Sequence, residues 1–122
     1  MEKIKIAICD DEEKFICELK QMLETYSANT STQLDIQCFD HGDALLAKSN
    51  VLKFDMIFLD VLMPLFNGID TAKELRNKDK AVSIIFLTSS PEFALQSYSV
   101  KATDYCLKPI TYEKLYEVMQ EY

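Results

Sequence analysis

Two periodicities alternate along the chain. Ile4, Ile6, Ala7, Ile8 and Cys9 form a short apolar run rich in β-branched residues, the pattern of a buried strand. It gives way to Asp10-Asp11-Glu12-Glu13, acids that suit the first turn of a helix. Phe15, Leu19, Met22, Leu23 and Tyr26 then fall on one helical face. After a polar loop, Leu34, Ile36 and Cys38 alternate with Asp35 and Gln37, which predicts a strand with one less-buried face at a sheet edge.

The alternation continues. A short helix is predicted around residues 44–47 and a second continuous apolar strand over 54–59, ending at Asp60. Pro64 and Asn67-Gly68 punctuate the turn that follows, and Ile69, Ala72 and Leu75 mark the next helix. Residues 82–87 predict a third buried strand, ending at Thr88. Ser90 as cap and Pro91 at the first helical position predict a helix start, with Phe93, Ala94 and Tyr98 along it. Residues 104–107 form a last short strand ending at Lys108-Pro109, and Thr111 caps a final helix carrying Leu115, Val118, Met119 and Tyr122.

Five βα units with apolar central strands imply a single doubly wound α/β domain over residues 1–122, a five-stranded parallel sheet with helices on both faces. Such sheets bind ligands at the carboxyl ends of their strands, near the switch in strand order.

Composition narrows the function. The chain carries 13 Lys+Arg and 20 Asp+Glu, and 13 − 20 gives −7, which argues against this segment gripping nucleic-acid phosphates. Two glycines cannot build a Walker-type or dinucleotide-binding loop, and one histidine, His41, excludes an HExxH zinc site. His41 is expected to be a surface loop residue without a role. Cys9, Cys17, Cys38 and Cys106 contain no CxxC pair and are expected to be small buried hydrophobes in a reducing compartment. No apolar run approaches the roughly 20 residues of a membrane helix, and the opening MEKIKIAI is unlike a signal peptide. A cytoplasmic setting is expected.

The strand ends carry the chemistry. Asp10-Asp11, Asp60, Thr88-Ser89 and Lys108-Pro109 should converge on one rim. Two carboxylates about 4 Å apart repel by roughly 4 kcal/mol at an effective dielectric near 20, so three demand cations. Lys108 supplies one, and a hard divalent ion such as Mg²⁺ would supply the rest while leaving room for a phosphoryl oxygen. A strand-end Asp would then be a nucleophile toward phosphorus.

At these residues the chain resembles the receiver domains of two-component response regulators. The matching pieces are C-D-D-E at 9–12, D-V-L-M-P at 60–64 with N-G at 67–68, L-T-S at 87–89 and D-Y-C-L-K-P at 104–109. Together they span essentially the whole chain in the family's order and spacing. The resemblance implies a flavodoxin-like sheet with strand order 2-1-3-4-5. It implies that Asp60 is the phosphoacceptor, charged by a sensor histidine kinase or a small phosphodonor. Asp11 and Asp60 would hold Mg²⁺ directly, Asp10 mainly through a metal-bound water, and the Leu62 backbone carbonyl would complete the protein ligands. Lys108 would pair with a phosphoryl oxygen, and its bond to Pro109 is commonly cis in the family. Thr88 would hydrogen-bond the phosphoryl group and move toward it, the Ser89 N–H would add a donor, and Tyr105 would turn inward as Thr88 moves.

The chain would thus be a phosphoacceptor switch that assists its own phosphotransfer and dephosphorylation, not a turnover enzyme. Apolar Leu62 implies a modest to long phosphoryl lifetime, because it hinders attacking water. A narrower resemblance, S-P-E-F-A-L-Q-S-Y at 90–98 followed by A-T-D-Y-C-L-K-P-I at 102–110, is to receivers attached to LytTR-type DNA-binding domains. It implies an output domain in cis, with this segment touching neither nucleic acid nor membrane. The Phe93, Leu95, Tyr98 and Val100 stripe is either packing or part of a homodimer face formed by the last helix–strand–helix. Two alternatives stand against the switch. A haloacid-dehalogenase-type hydrolase needs DxD after its first strand, whereas here D-V-L follows the third. A pseudo-receiver would lack the full set of Asp10, Asp11, Asp60, Thr88 and Lys108.

Overall fold

The computed structural model describes residues 3–63 and 67–122, so Pro64 of the D-V-L-M-P motif lies outside the described residues. Five strands and five helices alternate: β1 (Ile4–Cys9), α1 (Glu13–Thr30), β2 (Leu34–Phe39), α2 (Gly42–Ser49), β3 (Met56–Leu59), α3 (Gly68–Lys78), β4 (Ser83–Thr88), α4 (Ala94–Ser97), β5 (Asp104–Leu107) and α5 (Tyr112–Gln120). All strand pairs are parallel, in the order β2-β1-β3-β4-β5. The doubly wound, flavodoxin-like reading therefore holds, and the strand order reverses between β1 and β3.

Because strand side chains alternate between faces, each central strand feeds two cores. Ile6, Ile8, Met56, Phe58, Ile85 and Leu87 pack with Leu19 and Leu23 of α1 and Leu115 and Val118 of α5. Ala7, Cys9, Ile57, Leu59, Ile84 and Phe86 pack with Leu45 of α2 and Ile69, Ala72 and Leu75 of α3. The β2 edge is only partly buried, as its alternation predicts.

Several local expectations are corrected. β3 starts at Met56, two residues later than the apolar run, because the Asp55 carboxylate accepts the Lys5 N–H at 2.8 Å and its backbone bridges to Lys5 and Ser83. His41 is exposed yet does structural work: its Nδ1 accepts the Ala44 N–H at 3.1 Å and caps α2. Cys9 and Cys106 are buried, but Cys17 and Cys38 are exposed on α1 and β2.

The helix predicted from Ser90 is reduced to the four residues of α4 and a 3₁₀ turn, Tyr98–Val100. The carbonyl of a capping residue accepts the first helical hydrogen bond. Here the Ser90 carbonyl is taken by the Tyr105 hydroxyl at 2.5 Å, and Ala94 donates to Pro91 instead. The apolar stripe is split accordingly. Val100 is buried and Phe93 packs on the core, whereas Leu95 and Tyr98 are 82% and 78% exposed.

Candidate functional site

Backbone bonds carry the sheet one residue past its strands and thereby fix the rim. Asp10 N–H donates to Phe39 O at 3.0 Å, Asp60 N–H to Cys9 O at 3.0 Å, and Lys108 N–H to Thr88 O at 2.8 Å. The side chains at three strand ends then repeat one local device, an oxygen accepting the N–H two residues on. Asp10 Oδ1 accepts from Glu12 at 2.9 Å, Asp60 Oδ1 from Leu62 at 3.2 Å and Thr88 Oγ1 from Ser90 at 3.4 Å. Each carboxylate is left with Oδ2 aimed at the rim's centre.

Lys108 occupies that centre. Its Nζ lies 2.7 Å from Asp10 Oδ2, 3.3 Å from Asp60 Oδ2 and 3.6 Å from Glu12 Oε1. Asp10, Asp60 and Thr88 are all buried, and the Lys108 side chain is 3% exposed. Burial pushes the Asp60 carboxyl above its usual range, reinforced by the Asp10 charge. Lys108, the Leu62 N–H and Thr88 oppose this without overcoming it. For Lys108, burial favours the neutral amine, but the hydrogen bond to Asp10 and the Asp60 and Asp10 charges prevail and raise its pKa. Asp60 is therefore strained toward protonation by its surroundings, while Lys108 stays charged.

Gly68 explains why the chain carries N-G here. A Cβ at that position would strike the Asp60 carbonyl oxygen and lie 2.8 Å from Val61 Cα. The Gly68 N–H meets Val61 O at 2.9 Å, and Asn67 Oδ1 caps α3 by accepting the Asp70 N–H at 3.0 Å. The start of α3 thus lies directly beneath the Asp60 backbone.

The carboxylates of Asp10, Asp11, Glu12 and Asp60 offer oxygen atoms within 4.8 Å of one another. A set of hard oxygen donors with more negative charge than one lysine neutralises fits a hard divalent cation such as Mg²⁺. Asp11 is exposed and free to turn toward such an ion, and Leu62, 45% exposed, sits at the mouth. Ser89 is exposed beside Thr88, and the Lys108–Pro109 peptide is cis. Tyr105 is half-buried, its ring 5.9 Å from Phe86 and its hydroxyl on Ser90.

Three further residues contribute that the strand ends alone do not point to. Glu12 joins the acidic cluster because the Asp10 turn brings it back over the rim. Phe15 lies beneath Lys108, with Nζ 4.0 Å from its ring centroid. Arg76 ties α3 to the 3₁₀ turn after α4, Nε donating to Val100 O at 2.7 Å and Nη2 to Lys101 O at 2.9 Å. Nη1 reaches Val82 O at 2.6 Å and Asp79 O at 3.3 Å. Of the three, Glu12 has a signal in its place two residues after Asp10, Phe15 reads only as part of the apolar stripe of α1, and Arg76 has none.

Comparison with known proteins finds relatives that match most of the chain. A family model described as the response regulator receiver domain matches residues 6–120. A sensory transduction protein LytT of Oceanobacillus iheyensis is 36% identical over 114 residues, covering 92% of this chain and 45% of that protein. The chain spans less than half the length of such relatives. Among solved structures, the response regulatory domain of mrkE from Klebsiella pneumoniae matches with a TM-score of 0.85 at 29% identity, covering 96% of this chain and 93% of that one. The response regulator TrrA of Thermotoga maritima, solved in complex with Mg²⁺-BeF, matches at 0.84 and 28% identity over 98% of both chains.

Proposed function

Because the chain belongs to the response regulator receiver family, we propose that it is a phosphorylation-dependent switch in which Asp60 accepts a phosphoryl group from a sensor histidine kinase. The observation that carries this reading is the Lys108 ammonium shared between the buried carboxylates of Asp10 and Asp60 at the strand-order switch point. Asp60 Oδ2 is the attacking atom. It forms the O–P bond as the P–N bond of the phosphohistidine breaks, and the imidazole leaves with the electron pair. Oδ1, held by the Leu62 N–H, fixes the plane of attack.

Asp10, Asp11, Asp60 and the Leu62 carbonyl would hold Mg²⁺, with Glu12 beside them, and the ion when bound neutralises the charge gathering on phosphoryl oxygens. Lys108 exchanges an Asp60 oxygen for a phosphoryl oxygen, and Thr88 and the Ser89 N–H donate to the others. Such catalysis is positioning and charge neutralisation without a protein base. Phosphorylation adds about 1.5 to 2 negative charges, enough to draw Thr88 inward and to free Tyr105 from Ser90.

The responding face is α4, β5 and α5, where Leu95, Tyr98, Leu107 and Tyr116 are exposed. It is the surface for a homodimer, and for control of an output domain of the LytTR DNA-binding type in the full-length protein. An identical monomer mass by sedimentation with and without a phosphoryl mimic would sink the dimer. The setting is cytoplasmic, where the kinase's phosphohistidine lies. Among the described residues no helix is long and apolar enough to cross a membrane.

The test is intact mass after incubation with acetyl phosphate and Mg²⁺. Wild type should gain one phosphoryl group, and Asp60→Ala or omission of Mg²⁺ should abolish the gain. A chain that neither gains mass nor binds Mg²⁺ in a direct titration is a pseudo-receiver.

A further inference from the structure

By spacing, Phe15 is the first member of the apolar stripe of α1, four residues before Leu19. Its environment is different from the rest of that stripe. Leu19 and Leu23 are 3% and 0% exposed in the core, whereas Phe15 is half-buried under the rim with the Lys108 ammonium 4.0 Å from its ring centroid. Among the described residues, the ring face is the one contact of the Lys108 ammonium that is not a carboxylate.

An ammonium has three donors and is strongly hydrated, and it sits on a flexible four-carbon stem. Here the carboxylates are spread over 2.7, 3.3 and 3.6 Å, so only the Asp10 contact is tight. Glu12 is itself 58% exposed, yet the Lys108 side chain is 3% exposed. The Phe15 ring covers the ammonium beside these carboxylates. An aromatic face does this in a way an aliphatic side chain of similar volume does not, because its quadrupole attracts the cation it covers.

We infer that Phe15 is a positioning residue that holds the Lys108 ammonium through its ring face, keeping Nζ at the rim while it trades an Asp60 oxygen for a phosphoryl oxygen. The rate consequence rests on the phosphoacceptor reading above; the contact itself does not. The ring offers no oxygen to a divalent ion, so its removal should slow transfer without weakening the metal.

The experiment compares wild type with Phe15→Leu, Phe15→Tyr and a series in which residue 15 is a fluorinated phenylalanine of successively weaker quadrupole. Phe15→Leu should lower the maximal rate of Asp60 phosphorylation, at saturating acetyl phosphate and Mg²⁺, by roughly tenfold. Phe15→Tyr should restore it to within about twofold, and the fluorinated series should decline stepwise at constant shape. The Mg²⁺ dissociation constant should stay within about twofold throughout. A merely structural phenylalanine predicts equal rates across the fluorinated series, and that result overturns the inference.

A second readout needs no phosphorylation. In the wild-type NMR spectrum the Lys108 ε-protons should be shifted upfield by the ring current, and the shift should vanish in Phe15→Leu. An unshifted wild-type signal overturns the inference outright. A shifted signal in a wild type that neither takes a phosphoryl group nor binds Mg²⁺ would sink the phosphoacceptor reading and support the ring contact.

Discussion

The rim and the α4 segment are built to opposite specifications. At the rim, Asp10, Asp60 and Lys108 stand one step beyond their strands and Thr88 ends its own, and the side chains of Asp10, Asp60 and Thr88 are each oriented by the backbone N–H two residues on. The α4 segment has one short turn of α-helix, a 3₁₀ turn and two large side chains in solvent. It is pinned at its front by one hydroxyl, Tyr105 on Ser90, and at its back by one guanidinium, Arg76 on Val100 and Lys101. Elements that move are drawn from the low-stability end of a fold. The contrast teaches that the sheet by itself sets the charged rim in place, whereas the α4 segment is held where few bonds need change for it to move.

If the rim is the rigid half, removing its central cation should be costly. Lys108→Met leaves the buried carboxylates of Asp10 and Asp60 facing each other without the cation between them. Breaking a buried pair this way costs roughly 3 to 5 kcal/mol. Chemical denaturation without divalent ions should show a loss of that size. Mg²⁺ should stabilise the variant, by about 2.7 kcal/mol at a hundred times its dissociation constant. A variant as stable as wild type in the absence of Mg²⁺ would mean that the two carboxylates already share a proton, and the rim would not be a preformed anionic site.

The opposite half is tested at its back end. Arg76→Gln removes a guanidinium that meets four backbone carbonyls. Charged hydrogen bonds contribute about 1.5 to 3 kcal/mol net, so a loss of roughly 2 kcal/mol is expected. Its position matters more than its size. Amide exchange should accelerate at Lys101 and Ala102, which donate to Tyr98 and Ser97, while Asp60 and Lys108 amides keep their protection. Equal acceleration at the rim would show that the two halves are one cooperative unit.

This division also explains what was legible in the sequence. The sheet was legible because hydrophobic period is a local signal, and Asp10, Asp60, Thr88 and Lys108 because each terminates such a run. Phe15 carried a misleading signal, since an aromatic at the head of an apolar stripe looks the same whether it meets leucines or an ammonium. Arg76 had none: its acceptors lie up to 25 residues away and are backbone carbonyls, which leave no mark on composition. The Ser90-Pro91 helix start failed for a related reason. Its cue is local, and the Tyr105 hydroxyl that takes the Ser90 carbonyl comes from another strand. The sheet half was readable because it is locally encoded, and the α4 segment was not because its anchors are tertiary.

The front anchor can be removed almost without changing shape. Tyr105→Phe deletes one hydroxyl and leaves the ring against Phe86, so the core contact persists. A net loss of about 1 kcal/mol is expected, a factor of about five in a local opening equilibrium. Exchange should rise by about that factor at Ala94 and Ser97, whose amides donate to Pro91 and Phe93 beside the lost anchor. Lys101 and Ala102, held near Arg76, should not change, the reverse of the Arg76→Gln pattern. Were both ends to loosen in either variant, α4 would be moving as one rigid piece, and the two anchors would be redundant. If each variant loosens only its own end, the segment pivots. Freeing Tyr105 would then swing the Ser90 end of the face while Arg76 keeps the Val100 end seated on the core.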